Sequence, residues 1–338
     1  MKAAVYVDKN IVKLMDMPIK DINPNQIRIK VKYCAMCATD VHVVTQGLYG
    51  MPKGIIIGHE ASGTVIQIGE NAKDSGLKIG DRVAACPLKF CGKCKYCKKG
   101  LVMHCINGFD VNAEPFDSMA EYRNYYPDQL HLIPETIGFE EATLIEPTSS
   151  AIRAMDLANM SLGDSVALSG VGGIGIILLQ LIKLQGGTRI TVIEPIESKR
   201  KLALELGADY AINPFEQDII KESMRITDNM GFDFVFEASG VPKAAPPCLK
   251  IVGKGGCVVY FAVYPAEYEL PVNLFEMYSK EARIQTVFTS PYIFPRSLEL
   301  IPKLNLKKVI GAIYPLDDIE KAFDVFLQSK YPKILIKC

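Results

Sequence analysis

Apolar and polar residues alternate through the first part of the chain and then stop alternating. Ile27 to Val31 alternates with charged residues, and Thr64 to Ile68 and Arg82 to Ala85 share this β-like texture, each bounded by glycine or a charged turn. Residues 1 to about 145 are therefore expected to form short strands joined by glycine and proline turns, a β-rich and irregular domain. From Ser165 the texture changes to an apolar strand (Ser165 to Ser169), a glycine turn, a long apolar helix (Ile176 to Leu184), a strand (Arg189 to Ile193) and a charged helix. That rhythm predicts a doubly wound parallel sheet. After about Thr286 it is interrupted by Pro291, Pro295 and Pro302, and a helical Asp317 to Ser329 follows. The last strand, Lys333 to Lys337, is too short to fold alone and is expected to return to the first domain. The apolar run Gly256 to Tyr264 reads either as an edge strand, which would favour pairing between subunits, or as a buried central one; periodicity does not separate the two. There is no internal repeat and no low-complexity segment.

The length of 338 residues is too great for one comfortable core, so two domains are expected. Lys plus Arg and Asp plus Glu both number 38, giving zero formal net charge, which argues against a nucleic-acid or anionic-membrane partner. No apolar run reaches membrane-spanning length, and Met1 to Lys9 carries charges where a signal peptide needs an apolar core. The expectation is a cytosolic protein. Ten cysteines in such a chain are then not disulfides, and their clustering between Cys86 and Cys105 points to metal.

Cys91, Cys94, Cys97 and Cys105 are spaced C-x2-C-x2-C-x7-C. Three thiolates leave one tight loop and a fourth returns after a short excursion, which makes a closed tetrahedral site and hence a structural zinc. An iron–sulfur cluster would want the next cysteine after three residues and then a proline, whereas here the gap is seven and Ile106 follows. A second donor set begins at Gly58-His59-Glu60, where a borderline nitrogen and a hard oxygen stand side by side after Ile55-Ile56-Ile57. Cys37, about twenty residues upstream, and an isolated Glu146 before Pro147 keep it company. A third signal is Gly170-Val171-Gly172-Gly173-Ile174-Gly175, a G-x-G-x-x-G placed between an apolar strand and an apolar helix, so its amides would face a pyrophosphate. Glu194, nineteen residues past Gly175, would accept from both ribose hydroxyls and repel a 2′-phosphate, which favours NAD over NADP, with Lys199 flanking the same adenosine end.

Together these residues carry a resemblance that spans the chain. Cys37-Ala38-Thr39-Asp40-Val41-His42, Gly58-His59-Glu60-Ala61-Ser62-Gly63, the four spaced cysteines, Glu146-Pro147 and the glycine loop follow one another as in the zinc-dependent medium-chain alcohol and polyol dehydrogenases. The sequence resembles the sorbitol, threonine and butanediol dehydrogenase branch. The resemblance implies an α/β protein: a GroES-like catalytic domain over 1–147 with both zinc sites, a Rossmann NAD-binding domain over 148–287, and a return to the catalytic domain over 288–338, with the active site in the cleft. It implies two Zn2+ per chain, NAD, and a homodimer or homotetramer. Cys37 and His59 would ligate the catalytic zinc, with Glu60 and Glu146 ligating directly or exchanging with water. Asp40 would orient His59, Thr39 would take the alcohol proton and His42 would pass it towards solvent. Cys34 is read as a buried small hydrophobe.

The implied activity is hydride transfer between NAD(H) and a secondary alcohol, vicinal diol or polyol. Three departures touch the substrate. Phe288 is followed by Thr289 and Ser290 where the sorbitol-type branch has an arginine and a tyrosine, Val43 stands where an aromatic is favoured, and the usual glycine-rich stretch before Ala120 reads Phe116-Asp117-Ser118-Met119. They suggest a smaller diol or hydroxyacid, or a substrate held by other groups such as Arg153 or Arg296. L-Threonine or a sugar-alcohol phosphate is the alternative substrate. A catalytically silent zinc- and nucleotide-binding protein is the alternative of another class, against which the complete set of Cys37, Thr39, His59, Glu60 and Glu146 argues.

Overall fold

Ile27, Ile29 and Val31 fall on one face of the strand Ile27–Ala35 and are fully buried, while Arg28, Lys30 and Lys32 between them reach solvent in part or whole. In the computed structural model, which describes residues 1–47, 50–108 and 116–338, this strand is the hub of a seven-stranded sheet. The order is Ile310–Pro315, Lys333–Lys337, Ile27–Ala35, Glu60–Ile68, Arg82–Ala85, Leu130–Leu132, with Tyr122–Tyr125 also paired to the hub. Lys333–Lys337 runs antiparallel to the hub, Leu335 opposite Ala35, and parallel to Ile310–Pro315. The two ends of the chain thus share one sheet and one unit, Met1–Ser149 with Ser290–Cys338. An antiparallel pair, Lys2–Asp8 and Ile11–Asp16, completes it.

The second unit, Ser150–Thr289, holds a six-stranded parallel sheet. Its order is Tyr210–Ile212, Thr188–Ile193, Ser165–Ser169, Phe232–Glu237, Val252–Tyr260, Arg283–Thr286. The strand order reverses at Ser165–Ser169, the switch point at which such sheets bind nucleotides beyond the carboxyl ends of their strands. The apolar run from Gly256 belongs to the interior strand Val252–Tyr260, where Val258 and Val259, on opposite faces, are both fully buried. The edge is instead Arg283–Thr286, mostly exposed.

Among the boundaries that differ from the sequence reading, three stand out. The strand expected from Thr64 starts at Glu60, the helix expected from Ile176 starts at Gly173, and the late helix is Ile319–Leu327. The first two shifts bring His59-Glu60 and the glycine loop onto the ends of regular elements, where their backbone is fixed.

Candidate active site

The hub strand ends at Ala35, and Cys37 caps the helix Ala38–Gln46. Asp40, in that helix's first turn, returns its carboxylate to the Cys37 amide at 3.0 Å. The same fully buried carboxylate accepts from the Gly58 amide at 3.1 Å and meets His59 Nδ1 at 3.1 Å. One acid thereby clamps two loops that are distant in sequence. Gly58 has φ +91°, and a Cβ there would lie 2.5 Å from Met119 Cγ and 2.9 Å from Cys34 Sγ, so the turn that presents His59 needs glycine.

Sγ of Cys37, a ring nitrogen of His59 and a carboxylate oxygen of Glu60 all lie within 4.8 Å of one another. Burial alone would lower the His59 imidazole, but the Asp40 carboxylate and then Cys37 outweigh it and hold it well above its usual value. Burial raises the Glu60 carboxyl, with Lys333 pulling the other way. Glu146, half-buried in the first turn of the helix Ile145–Ala158, is pushed up to about 7 by burial, against the pull of His59. It does not join the three donors that close to within 4.8 Å. Two carboxyls that resist ionising beside a soft sulfur and an imidazole fit a divalent cation, which would relieve their unfavourable charging.

Thr39 places its hydroxyl 3.5 Å from Cys37 Sγ. His42, one turn on, has Nδ1 buried and without a partner among the described residues, and burial pushes its imidazole below the usual value against a bond to Gln46. Phe116 stands edge-on to His59, centroids 5.5 Å apart at 85°, and gives the donor set an apolar wall. Sequence reasoning missed Lys333, whose Nζ lies 2.6 Å from Glu60 Oε1. Its only local signal is a lysine directly before the apolar run Ile334-Leu335-Ile336.

The four spaced cysteines also converge, with all four sulfurs within 4.8 Å of one another. Cys91 and Cys97 Sγ are 3.9 Å apart, close to the roughly 3.8 Å edge of a tetrahedron with metal–sulfur bonds of about 2.3 Å. The Cys94 amide points at Cys91 Sγ (3.4 Å), the Cys97 amide at Cys94 Sγ (3.4 Å) and the Cys91 amide at Cys105 Sγ (3.3 Å). Amides of Lys93 and Cys94 lower the Cys91 thiol, and those of Cys97 and Ile106 lower Cys94 to about 6. Burial and the neighbouring thiols instead push Cys97 up to about 12. Amides turned towards three of the four sulfurs suit a closed zinc site.

In the second unit Gly170 has φ +87°, and a Cβ there would strike Ser239 at 2.7 Å, whereas nothing lies within 4 Å of where a Cβ of Gly172 would be. Gly172 caps the helix Gly173–Leu184, so the loop offers amides beside open space, as a pyrophosphate requires. Ile174 and Gly175 form its first turn, Gly175 packing so close that a Cβ would lie 2.2 Å from Gly170 O. Glu194 follows the strand Thr188–Ile193 and accepts from the amides of Val171 and Ile196, each at 3.1 Å. Lys199 is buried on the neighbouring helix and feels the Glu194 charge, while burial lowers its ammonium.

Residues 23–135 match the model of the alcohol dehydrogenase GroES-like domain, and residues 173–303 match that of the zinc-binding dehydrogenases. The chain is similar to a sorbitol dehydrogenase of Bacillus subtilis, 31% identical over 336 residues that cover 98% of this chain and 94% of the relative. It is likewise similar to an L-threonine 3-dehydrogenase of Pyrococcus horikoshii, 32% identical over 332 residues, or 96% and 94% of the two chains. The solved structure of 2R,3R-butanediol dehydrogenase from Bacillus subtilis superposes with a TM-score of 0.87 at 25% identity, covering 100% of this chain and 99% of that one. With the family's two domain types in order along the chain, it belongs to the zinc-dependent medium-chain alcohol and polyol dehydrogenases.

Proposed function

We propose that this protein oxidises a secondary alcohol, vicinal diol or polyol with NAD, and reduces the matching ketone in reverse, at a zinc held by Cys37 and His59. The observation that carries the reading is the single Asp40 carboxylate that fixes both ligand loops at once. When bound, zinc supplies Lewis acidity towards the substrate oxygen and NAD supplies the hydride acceptor. Glu60 and Glu146 provide carboxylates at the metal's flank. Asp40 holds His59 Nδ1, which leaves Nε2 for the metal. Thr39 takes the hydroxyl proton and His42 carries it outward; an imidazole lowered by burial releases a proton readily. Gly170, Gly172, Gly173, Ile174 and Gly175 cradle the pyrophosphate, Glu194 accepts from the ribose diol, and Lys199 flanks the adenosine. Cys91, Cys94, Cys97 and Cys105 hold a second, structural zinc.

Asp40→Asn should keep the fold but lower metal affinity at the Cys37 site by about 10–100-fold, because the neutral amide no longer orients His59. Chelator competition measures this. Glu194 does more than meet a ribose, since Val171 N depends on it. Glu194→Ser should therefore weaken NADH binding roughly 10–100-fold, the loss of one or two charge-assisted hydrogen bonds, without a matching gain for NADPH. Fluorescence titration with both coenzymes separates this from a simple specificity swap.

On the substrate, Ser290 Oγ is 2.5 Å from Ser149 Oγ and nearly buried, so it replaces a polyol anchor with an internal contact, and a small alcohol or diol is favoured. One observation supports an acidic substrate instead, such as L-threonine or a sugar-alcohol phosphate. Arg153 lies two turns beyond Glu146 on one helix, and its Nε is buried without a hydrogen-bond partner among the described residues. Appearance of NADH, followed by absorbance with zinc-loaded protein and a panel of diols, polyols, threonine and sugar-alcohol phosphates, decides between them. Turnover of none, with coenzyme still bound, would favour a silent zinc- and nucleotide-binding protein.

We further place the protein in the cytoplasm as a homo-oligomer, a dimer or tetramer. All ten cysteines are unpaired, as a reducing compartment allows, and no helix among the described residues is long and apolar enough to cross a membrane. The edge strand Arg283–Thr286 is unpaired on its outer side among the described residues, and the helix Leu274–Lys280 exposes Leu274, Phe275 and Tyr278. A second copy covering them would remove both liabilities. Light scattering on the purified protein reads the state.

A further inference from the structure

Ser169, Glu237 and Tyr260 stand side by side at the carboxyl ends of three neighbouring strands of the parallel sheet. The segment after each is a loop of the crevice in which such sheets bind nucleotides. These three loops touch. A Cβ on Gly170 would lie 2.7 Å from Ser239, and one on Gly240, at φ +69°, would lie 2.6 Å from Val263 O. The carboxylate that joins them is Glu237, which is fully buried. It accepts from the amides of Ser239 at 2.9 Å and Gly240 at 3.2 Å, from Ser169 Oγ at 3.5 Å, and from the hydroxyls of Ser239 and Tyr264. The third loop leaves its strand with the Phe261 and Ala262 amides on Glu237 O, at 2.9 and 3.2 Å. Tyr264 then fixes its far end to the same residue.

Tyr264 is the middle rung of a ladder. Its ring meets that of Tyr260 edge to face, centroids 6.2 Å apart at 69°, and stacks on that of Tyr268 at 5.5 Å and 22°. Packing needs only the rings, yet all three hydroxyls reach the stretch from Glu237 to Ala245: Tyr260 donates to Ala245 O and Tyr268 to Pro242 O, each at 2.9 Å, and Tyr264 donates to Glu237. On the NAD reading, Glu194 places the adenosine beyond the strand Thr188–Ile193, to one side of Ser165–Ser169. The nicotinamide half then runs to the other side, over residues 239–241 and 261–263. We propose that Tyr264 is a positioning residue for the nicotinamide half of the coenzyme: its hydroxyl, held by Glu237, locks the third loop against the second in the shape on which that half lies.

This rests on the NAD reading of the glycine loop and Glu194, and the test keeps the two apart by comparing NADH with ADP-ribose, which has the adenosine and pyrophosphate but no nicotinamide. Tyr264→Phe removes one hydroxyl and keeps the rings of the ladder. By fluorescence titration and calorimetry on the whole protein, this variant should bind NADH about tenfold more weakly, the lower end of what one hydrogen bond to a charged group contributes, and ADP-ribose within about twofold of the wild type. Tyr268→Phe, which removes a hydroxyl from the same ladder without touching Glu237, should bind both as the wild type does. The bond acts through the carboxylate, so adding Tyr264→Phe to Glu237→Gln should weaken NADH binding by less than about threefold more. If the variants fail to fold, amide exchange on the wild type decides. NADH should slow exchange across residues 239–241 and 261–264 by about tenfold or more, and ADP-ribose should leave it within about twofold. Equal losses of NADH and ADP-ribose in Tyr264→Phe, no loss of either, the same NADH loss in Tyr268→Phe, or equal slowing of exchange by the two ligands overturns the role of Tyr264 alone. A wild type that binds neither ligand overturns the NAD reading and this inference with it.

Discussion

Cys37→Ser should abolish alcohol oxidation while leaving one zinc per chain. Cys37 contributes the sulfur of the donor set with His59 and Glu60, and the same residue caps the helix Ala38–Gln46. A serine keeps the cap but is a poor metal ligand at neutral pH. Losing the Lewis acid removes several kcal/mol of charge stabilisation, so kcat/KM should fall by about 10³–10⁴-fold. Metal analysis should drop from two zinc per chain to one, with coenzyme binding unchanged, because Glu194 and the glycine loop belong to the other unit. A variant that kept both metals and most of its activity would show that the hydride transfer does not depend on this site.

Cys94→Ser should have the largest structural effect. Cys94 caps the short helix Lys95–Lys98, accepts the Cys97 amide, and contributes one of the four sulfurs. Between Cys91 and Cys105 only Val102 and Met103 are buried apolar side chains besides Cys105 itself, too few to hold a loop that also carries Lys93, Lys95, Lys98 and Lys99. A structural zinc contributes about 10–16 kcal/mol in small metal-folded domains, far more than this loop can replace by packing. Amide exchange across residues 91–105 should rise by on the order of a thousandfold or more as the loop opens locally. Protease cleavage at its lysines should follow, while the Ser150–Thr289 unit keeps its protection. Equal exchange in wild type and variant would show that the loop does not rely on metal.

The two predictions draw on features of different legibility. Residues that act through short spacing could be read directly from the chain: the four cysteines, His59-Glu60 and the glycine loop depend on neighbours a few residues away, and the structure gathers the cysteines with each other and His59-Glu60 with Cys37. The change from alternating strands to a βαβ rhythm was equally local, as was the C-terminal strand's dependence on another sheet. The strand starting at Glu60 was less visible, because Ala61, Ser62 and Gly63 have little β-preference of their own and are held by pairing with the hub. An apolar run such as Val252–Tyr260 has no period that tells edge from interior, and its neighbours on both sides come from elsewhere in the chain. Least legible was Lys333, which meets Glu60 across 273 residues. A charged residue in a buried strand signals that a partner exists, but only the fold says which.

Diffraction at the zinc absorption edge, on crystals grown with zinc, tests the central claim most directly. The account predicts two anomalous peaks per chain, one inside the four-cysteine loop and one bonded to Cys37 Sγ and His59 Nε2, with His59 Nδ1 still on Asp40. A single peak in the cysteine loop, with Cys37 and His59 bare at saturating zinc, would contradict it.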